Sequence, residues 1–183
     1  MSAKNIVYFD LETQKSAQEV GGWHNKALMR MSVGVTYSTA RGSYMIYPEN
    51  RAEELVRELQ RADCVIGFNV IDFDYKVLSA YTIFDFSQVP TLDLLVDIEK
   101  KIGKRIKLDA VATETLGVGK TADGLEALKW WKEGKIQEIA EYCCYDVKTT
   151  WKVHDYGAQW GKVFFTNSAT HRRESIPTLE WKL

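Results

Sequence analysis

The sequence predicts an α/β domain: a mixed sheet of three antiparallel strands followed by parallel ones, with helices on both faces. Two observations lead there. Three β-rich runs precede residue 50, the second and third separated only by the polar stretch Ser38, Thr39, Ala40 and Arg41. An amphipathic segment then leads into a fourth apolar run, after which the pattern is helical almost to the C-terminus. A meander followed by a helical crossover is how an antiparallel sheet acquires parallel strands.

Asn5 to Leu11 combines β-branched and aromatic residues and reads as a buried first strand that ends in Asp10 and Glu12. Met31 to Tyr37 and Gly42 to Tyr47 read as a hairpin. Arg51 to Ala62 places Ala52, Leu55, Val56 and Leu59 at helical spacing, with charges on the other face. Cys64 to Phe68 returns to strand. From Phe73 onward the spacing predicts helices over Tyr75 to Tyr81, Leu92 to Ile102, Leu108 to Leu116, Gly124 to Trp131 and Ile136 to Trp160. The tail, residues 160–183, suggests a hairpin of Lys162 to Phe165 with Thr178 to Trp181.

At 183 residues, with no low-complexity linker or repeat, residues 1–183 read as one domain with a core over about 5–156. The apolar runs are too short to span a bilayer and no secretory pattern opens the chain, so a cytoplasmic protein with no membrane partner is expected. Three cysteines, two of them adjacent, fit neither a disulfide framework nor a zinc site and read as reduced thiols. A net charge of -1 does not advertise a nucleic-acid binder. Lys100, Lys101, Lys104, Arg105 and Lys107 form a local basic cluster, read as a solvated helix end and loop.

The carboxylates carry the chemistry. Cleaving a phosphodiester with water requires charge neutralisation on the phosphoryl oxygens, an activated water and a stabilised leaving oxygen, and two Mg²⁺ or Mn²⁺ ions supply all three. Such hard ions take oxygen ligands from several acids held on rigid elements. Asp10 and Glu12, two apart on an extended segment, point to one face of the sheet. In Asn69-Val70-Ile71-Asp72-Phe73-Asp74 a strand gives way to a helix with acids at its N-terminus, one of which suits an N-cap while the other is free for metal. Tyr142 and Asp146, four apart, share a helix face.

Taken in order, D-x-E on a strand, N-x-x-x-F-D after a strand and Y-x-x-x-D on a late helix, the three elements resemble the DEDD superfamily of 3′-to-5′ exonucleases, tyrosine subgroup, with its RNase H-like fold. The middle motif is similar to the proofreading domain of family B DNA polymerases, and Thr91 through Asp146 looks like helicase-associated exonuclease-type domains. The resemblance covers Asn5 to Tyr156. It implies that Asp10, Glu12, Asp74 and Asp146 hold two Mg²⁺ or Mn²⁺ ions, that Tyr142 positions the attacking water, and that Asp72 is the cap. Asn69 would brace the site or contact the scissile nucleotide, and Leu11 would pack on the terminal base. Glu141 stands where the histidine subgroup has its histidine. The implied substrate is the 3′ end of single-stranded DNA or RNA, with DNA preferred by analogy, and the implied partner is a helicase or larger DNA-processing complex. The alternatives are a non-catalytic binding or docking module on the same fold, and a phosphodiesterase acting on small substrates.

Other signals are declined. Gly117-Val118-Gly119-Lys120-Thr121 resembles the end of a P-loop, but the first glycine would fall at Glu114, within a helical pattern; Gly117 reads as a helix C-cap instead. His24, His154 and His171 lack metal spacing, and Trp130, Trp131, Trp151 and Trp160 at helical positions read as core.

Overall fold

In the computed structural model, which describes residues 4–119 and 124–183, the central element is strand β1, Ile6–Thr13. β2, Met31–Ser38, pairs antiparallel with β1 on one side and with β3, Ser43–Pro48, on its own far side. β4, Cys64–Gly67, runs parallel to β1, and β5, Thr91–Asp93, parallel to β4, so the sheet order is β3-β2-β1-β4-β5. This is the expected mixed sheet. β5 was not expected, because Leu92 and Asp93 fall within the stretch read as helix from Leu92 to Ile102. At that length no alternation develops, and pairing with β4 creates the strand.

The period-2 alternation of β1 divides the interior. Val7, Phe9 and Leu11 face α2, Ala52–Gln60, and α3, Asp74–Leu78, joining Leu55, Val56, Leu59, Val77 and Leu78 in one core. Tyr8 faces the opposite way, into a second core with Ile66, Leu94, Ile98, Val111, Ile139, Cys143 and Val147. That core is covered by α4, Leu94–Ile102, α5, Leu108–Leu116, and the 25-residue α7, Ile136–Trp160, whose bounds match the expectation. The short α1, Lys26–Met29, and α6, Gly124–Lys132, flank the sheet end where β1 finishes. Gly117 caps α5 in the left-handed conformation, as expected; Lys120 and Thr121 of the P-loop-like stretch lie outside the described residues.

The tail is a hairpin, but of β6, Lys162–Asn167, with β7, Arg172–Pro177. The expected second strand, Thr178 to Trp181, is instead a turn with 3-10 geometry at Leu179–Trp181, anchored by the buried Thr178 and Trp181. The polar Arg172-Arg173-Glu174-Ser175 hid the true strand, and within the turn only Trp181 is both apolar and docked, since Leu179 is exposed. Trp181 is fully buried against α7, where a Cβ on Gly157 would lie 2.4 Å from the indole. Trp130, Trp131 and Trp151 pack on the second core as expected, whereas Trp160, the last residue of α7, is 61% exposed. Among the described residues no helix is long and apolar enough to cross a membrane.

Candidate active site

Asp10 and Glu12 leave β1 on the face opposite Leu11, toward α7, and Asp146 points back at them from that helix. One carboxylate oxygen from each lies within 4.8 Å of the other two. Asp74, the first residue of α3, approaches from the other side of the strand end: its Oδ1 accepts the N–H of Leu11, the residue between the two β1 acids, at 3.0 Å. Tyr142 stands one helical turn before Asp146 on α7, and its ring meets Trp130 of α6 edge-on with centroids 6.2 Å apart. The residues singled out in the sequence therefore converge, with Asp10, Glu12 and Asp146 as the tight trio and Asp74 beside it. Asp72 does not cap α3. Phe73 occupies the cap position without a side-chain bond, and Asp72 is exposed and ion-paired with Lys26 at 3.0 Å, because the chain turns once more before the helix begins.

Burial and mutual repulsion dominate the electrostatics. Burial first, then Asp74, Glu12 and Asp146, holds the Asp10 carboxyl well above the usual range, although the Cys143 thiol at 3.4 Å opposes the shift. Glu12 is raised by burial and then by Asp146 and Asp74. Burial also raises Asp74, against the lowering effect of the Leu11 N–H. Asp146 is pushed up to about 7 by burial, with the Tyr142 hydroxyl pulling down and Asp109 pushing up. Burial and Asp146 raise the Tyr142 phenol. Among the described residues no lysine or arginine pairs with any of the four acids. A crowded set of hard oxygen donors without a counter-charge fits a hard divalent cation better than any side chain the fold supplies.

Beside the acids lies a cleft of about 740 Å³ lined by Asp10, Leu11, Glu12, Asn69, Phe73 and Asp74 among others. Leu11 borders it while its side chain, 3% exposed, belongs to the first core. Asn69 adopts a left-handed φ of 70°, which asparagine tolerates better than most residues. Three supports were not anticipated. Asp93, buried at the end of β5, accepts the N–H groups of Asn69 and Ile71 at 2.8 and 3.0 Å while capping α4. Arg105, from the basic cluster read as mere solvated surface, donates to Asn69 Oδ1 at 2.6 Å, and Lys107 lines the cleft. Cys143 packs beneath Asp10. An aspartate before an apolar helix announces a cap, and Cys143 lies one turn before Asp146, but the contacts across the fold leave no local signal.

A search among curated proteins finds no match to this chain. Among solved structures, the chain is similar to the family B DNA polymerase from the hyperthermophilic archaeon Pyrobaculum calidifontis, with a TM-score of 0.63 and 14% identity over 85% of this chain. The match spans 25% of the polymerase, and at that identity it speaks to the fold alone. Residues 7–157, from β1 through nearly all of α7, match the family model of the RNase H superfamily, and the chain belongs to that superfamily.

Proposed function

We propose that this chain is a two-metal-ion 3′-to-5′ exonuclease that hydrolyses single-stranded nucleic acid, DNA in preference to RNA, and releases nucleoside monophosphates. The observation that carries this reading is the convergence of Asp10, Glu12 and Asp146 within 4.8 Å, with Asp74 alongside and no counter-cation among the described residues. Asp10, Glu12, Asp74 and Asp146 would hold two Mg²⁺ or Mn²⁺ ions, which supply a nucleophilic water at neutral pH and neutralise charge on the phosphoryl group. The motif order supports the exonuclease direction, on a fold of the kind seen in a family B DNA polymerase.

The protein's own residues orient and exclude. Leu11 N–H fixes Asp74, and β1 and α7 fix the other acids, so little reorganisation is needed when charge develops. Tyr142 stays protonated at neutral pH, since burial and Asp146 raise it; its hydroxyl orients water and does not act as a base. Asn69, held by Asp93 through its backbone and by Arg105 through its side chain, presents an amide at the rim for the scissile nucleotide. Leu11 bounds the floor of the same cleft. The weak selectivity expected follows from contacts to backbone and sugar, not to base edges. A helicase or larger DNA-processing complex would supply the processivity that a chain of net charge -1 lacks.

The test is a 5′-labelled single-stranded DNA and RNA ladder with Mg²⁺ or Mn²⁺, run beside Asp146→Asn and a chelator. Shortening from the 3′ end, lost in both controls and faster on DNA, is expected. No product from either polymer, despite ion-dependent thermal stabilisation, would overturn the reading in favour of a binding module or a small-substrate phosphodiesterase.

A further inference from the structure

The loop between β1 and α1 holds a tryptophan in the open. Trp23 is 66% exposed and lines the same cleft as Asp10, Glu12 and Asp74. Its ring meets Phe73, the residue before Asp74, edge-on with centroids 6.2 Å apart. The loop beneath it is built, not frayed. Gly22 N–H donates to the Ala17 carbonyl at 2.7 Å and Asn25 Nδ2 to that of Val20 at 2.8 Å. Glu19 accepts from Ser16 at 2.8 Å and pairs with Lys132 of α6 at 2.9 Å. Gly22 has a φ of 130°, and a Cβ there would lie 2.9 Å from the His24 ring, so the turn that presents Trp23 requires glycine.

What sets Trp23 apart from the other exposed aromatic side chains is its place on the lining of the cleft beside the acids, where its face meets whatever enters. The cleft adds charge of the fitting sign: Lys15 and Lys107 are exposed on its lining, and neither forms an ion pair among the described residues. Aromatic faces interleaved with cations bind single-stranded nucleic acid, each base stacking on a ring while the lysines follow the phosphates.

We propose that Trp23 is the stacking platform for one nucleobase of the bound strand, with Lys15 and Lys107 holding flanking phosphates. The assignment rests on the nuclease reading above and adds to it a substrate-binding residue in the loop that follows the β1 acids. Stacking on a ring tolerates any base, so the platform grips the strand without selecting its sequence.

The experiment measures KM and kcat of the wild type, Trp23→Ala and Trp23→Phe on labelled single-stranded DNA with Mn²⁺, and on the same strand carrying an abasic site at each of its last three positions in turn. Anisotropy titrations of these strands with Ca²⁺ in place of Mn²⁺ read binding independently of turnover. Trp23→Ala is expected to weaken binding and raise KM by about tenfold with little change in kcat, and Trp23→Phe to recover most of it. On the one strand whose abasic site removes the stacked base, the wild type should bind as weakly as Trp23→Ala. Equal binding by wild type and Trp23→Ala, or the same loss on every abasic strand, would overturn the platform. Loss of binding in Trp23→Ala with no turnover by the wild type would keep the platform and remove the nuclease reading.

Discussion

Two buried polar clusters sit along α7, about two turns apart, and each meets β1. At one, His154 Nε2 lies 2.9 Å from the Trp181 carbonyl and Nδ1 2.9 Å from the Tyr8 hydroxyl, which fits a ring that donates to the carbonyl and accepts from the phenol. Trp181 Nε1 then donates to Asp97 at 2.7 Å, and Lys101 pairs with Asp97, with Glu180 and with the Pro177 carbonyl. Every polar atom in that chain finds its partner within the protein. At the other, Asp10, Glu12, Asp74 and Asp146 face one another with no lysine or arginine paired to them among the described residues. Burying a polar group costs little when it is paired and several kcal/mol when it is a bare charge. The first cluster therefore contributes to stability, and the second stores a cost that an ion can relieve. The second cluster is the one that a bound ion would complete.

The largest expected effect separates the two directly. Asp146→Asn should lower exonuclease turnover by about 10³-fold or more, because the ions lose a ligand and the transition state its charge compensation. The same substitution should raise the melting temperature of the metal-free protein by about 2–4 °C, since one repelling charge is gone. A variant that is both inactive and less stable without metal would break the contrast. Trp181→Ala tests the opposite pole: it empties a fully buried site behind Gly157 and strips Asp97 of a donor, so a stability loss of about 3–5 kcal/mol is expected, measured by urea unfolding. Activity per folded molecule should survive.

The pH dependence sharpens the comparison because the clusters move in opposite directions. The raised carboxyls mean that the native protein without metal holds protons which the unfolded chain releases above about pH 4. Their contribution is therefore most favourable at acid pH and is lost as pH rises toward 7 and beyond. His154 is lowered by burial, so its neutral form stabilises the fold above about pH 6.5 and the contribution falls away below that. Subtracting the melting curve of Asp146→Asn from that of the wild type across pH 5–8 isolates the acid cluster. The difference should grow with pH without metal and reverse in sign with saturating Mn²⁺. A flat difference would mean that the acids do not repel one another.

How much of this was legible in the chain follows the same division. Asp10, Glu12, Tyr142 and Asp146 were readable because their spacing, two on a strand and four on a helix, sets a shared face whatever the rest does. The meander and α7 were readable for the same reason, as long runs of one period. β5 was not, because three residues acquire strand character only by pairing with β4. Asp72 was assigned the cap since it precedes a helical pattern, but the structure spends one more turn there and gives Asp72 to Lys26. The roles of Asp93, Arg105 and Trp181 depend on contacts between distant segments, 24 to 84 residues apart in the hydrogen bonds that define them. Trp23 lay in a loop with no periodicity to mark it.

The smallest effect concerns Arg105, where cation and neutral amide meet at the rim of the acid cluster. Its guanidinium donates to Asn69 Oδ1 at 2.6 Å and pairs with Glu99 at 3.1 Å, but both contacts are exposed, where ion pairs contribute at most about 1 kcal/mol. The Asn69 backbone does not depend on them, because Asp93 holds it from beneath. Arg105→Ala should therefore leave the fold within about 0.5 kcal/mol of the wild type. The freed Asn69 amide loses its fixed orientation, and the rim loses a cation that attracts phosphate. KM for single-stranded DNA should rise by about threefold, with kcat unchanged and a shallower dependence on salt. A kcat loss on the scale of Asp146→Asn would place Arg105 among the groups that act in the transition state, and an unchanged KM would confine Asn69 to bracing its own loop.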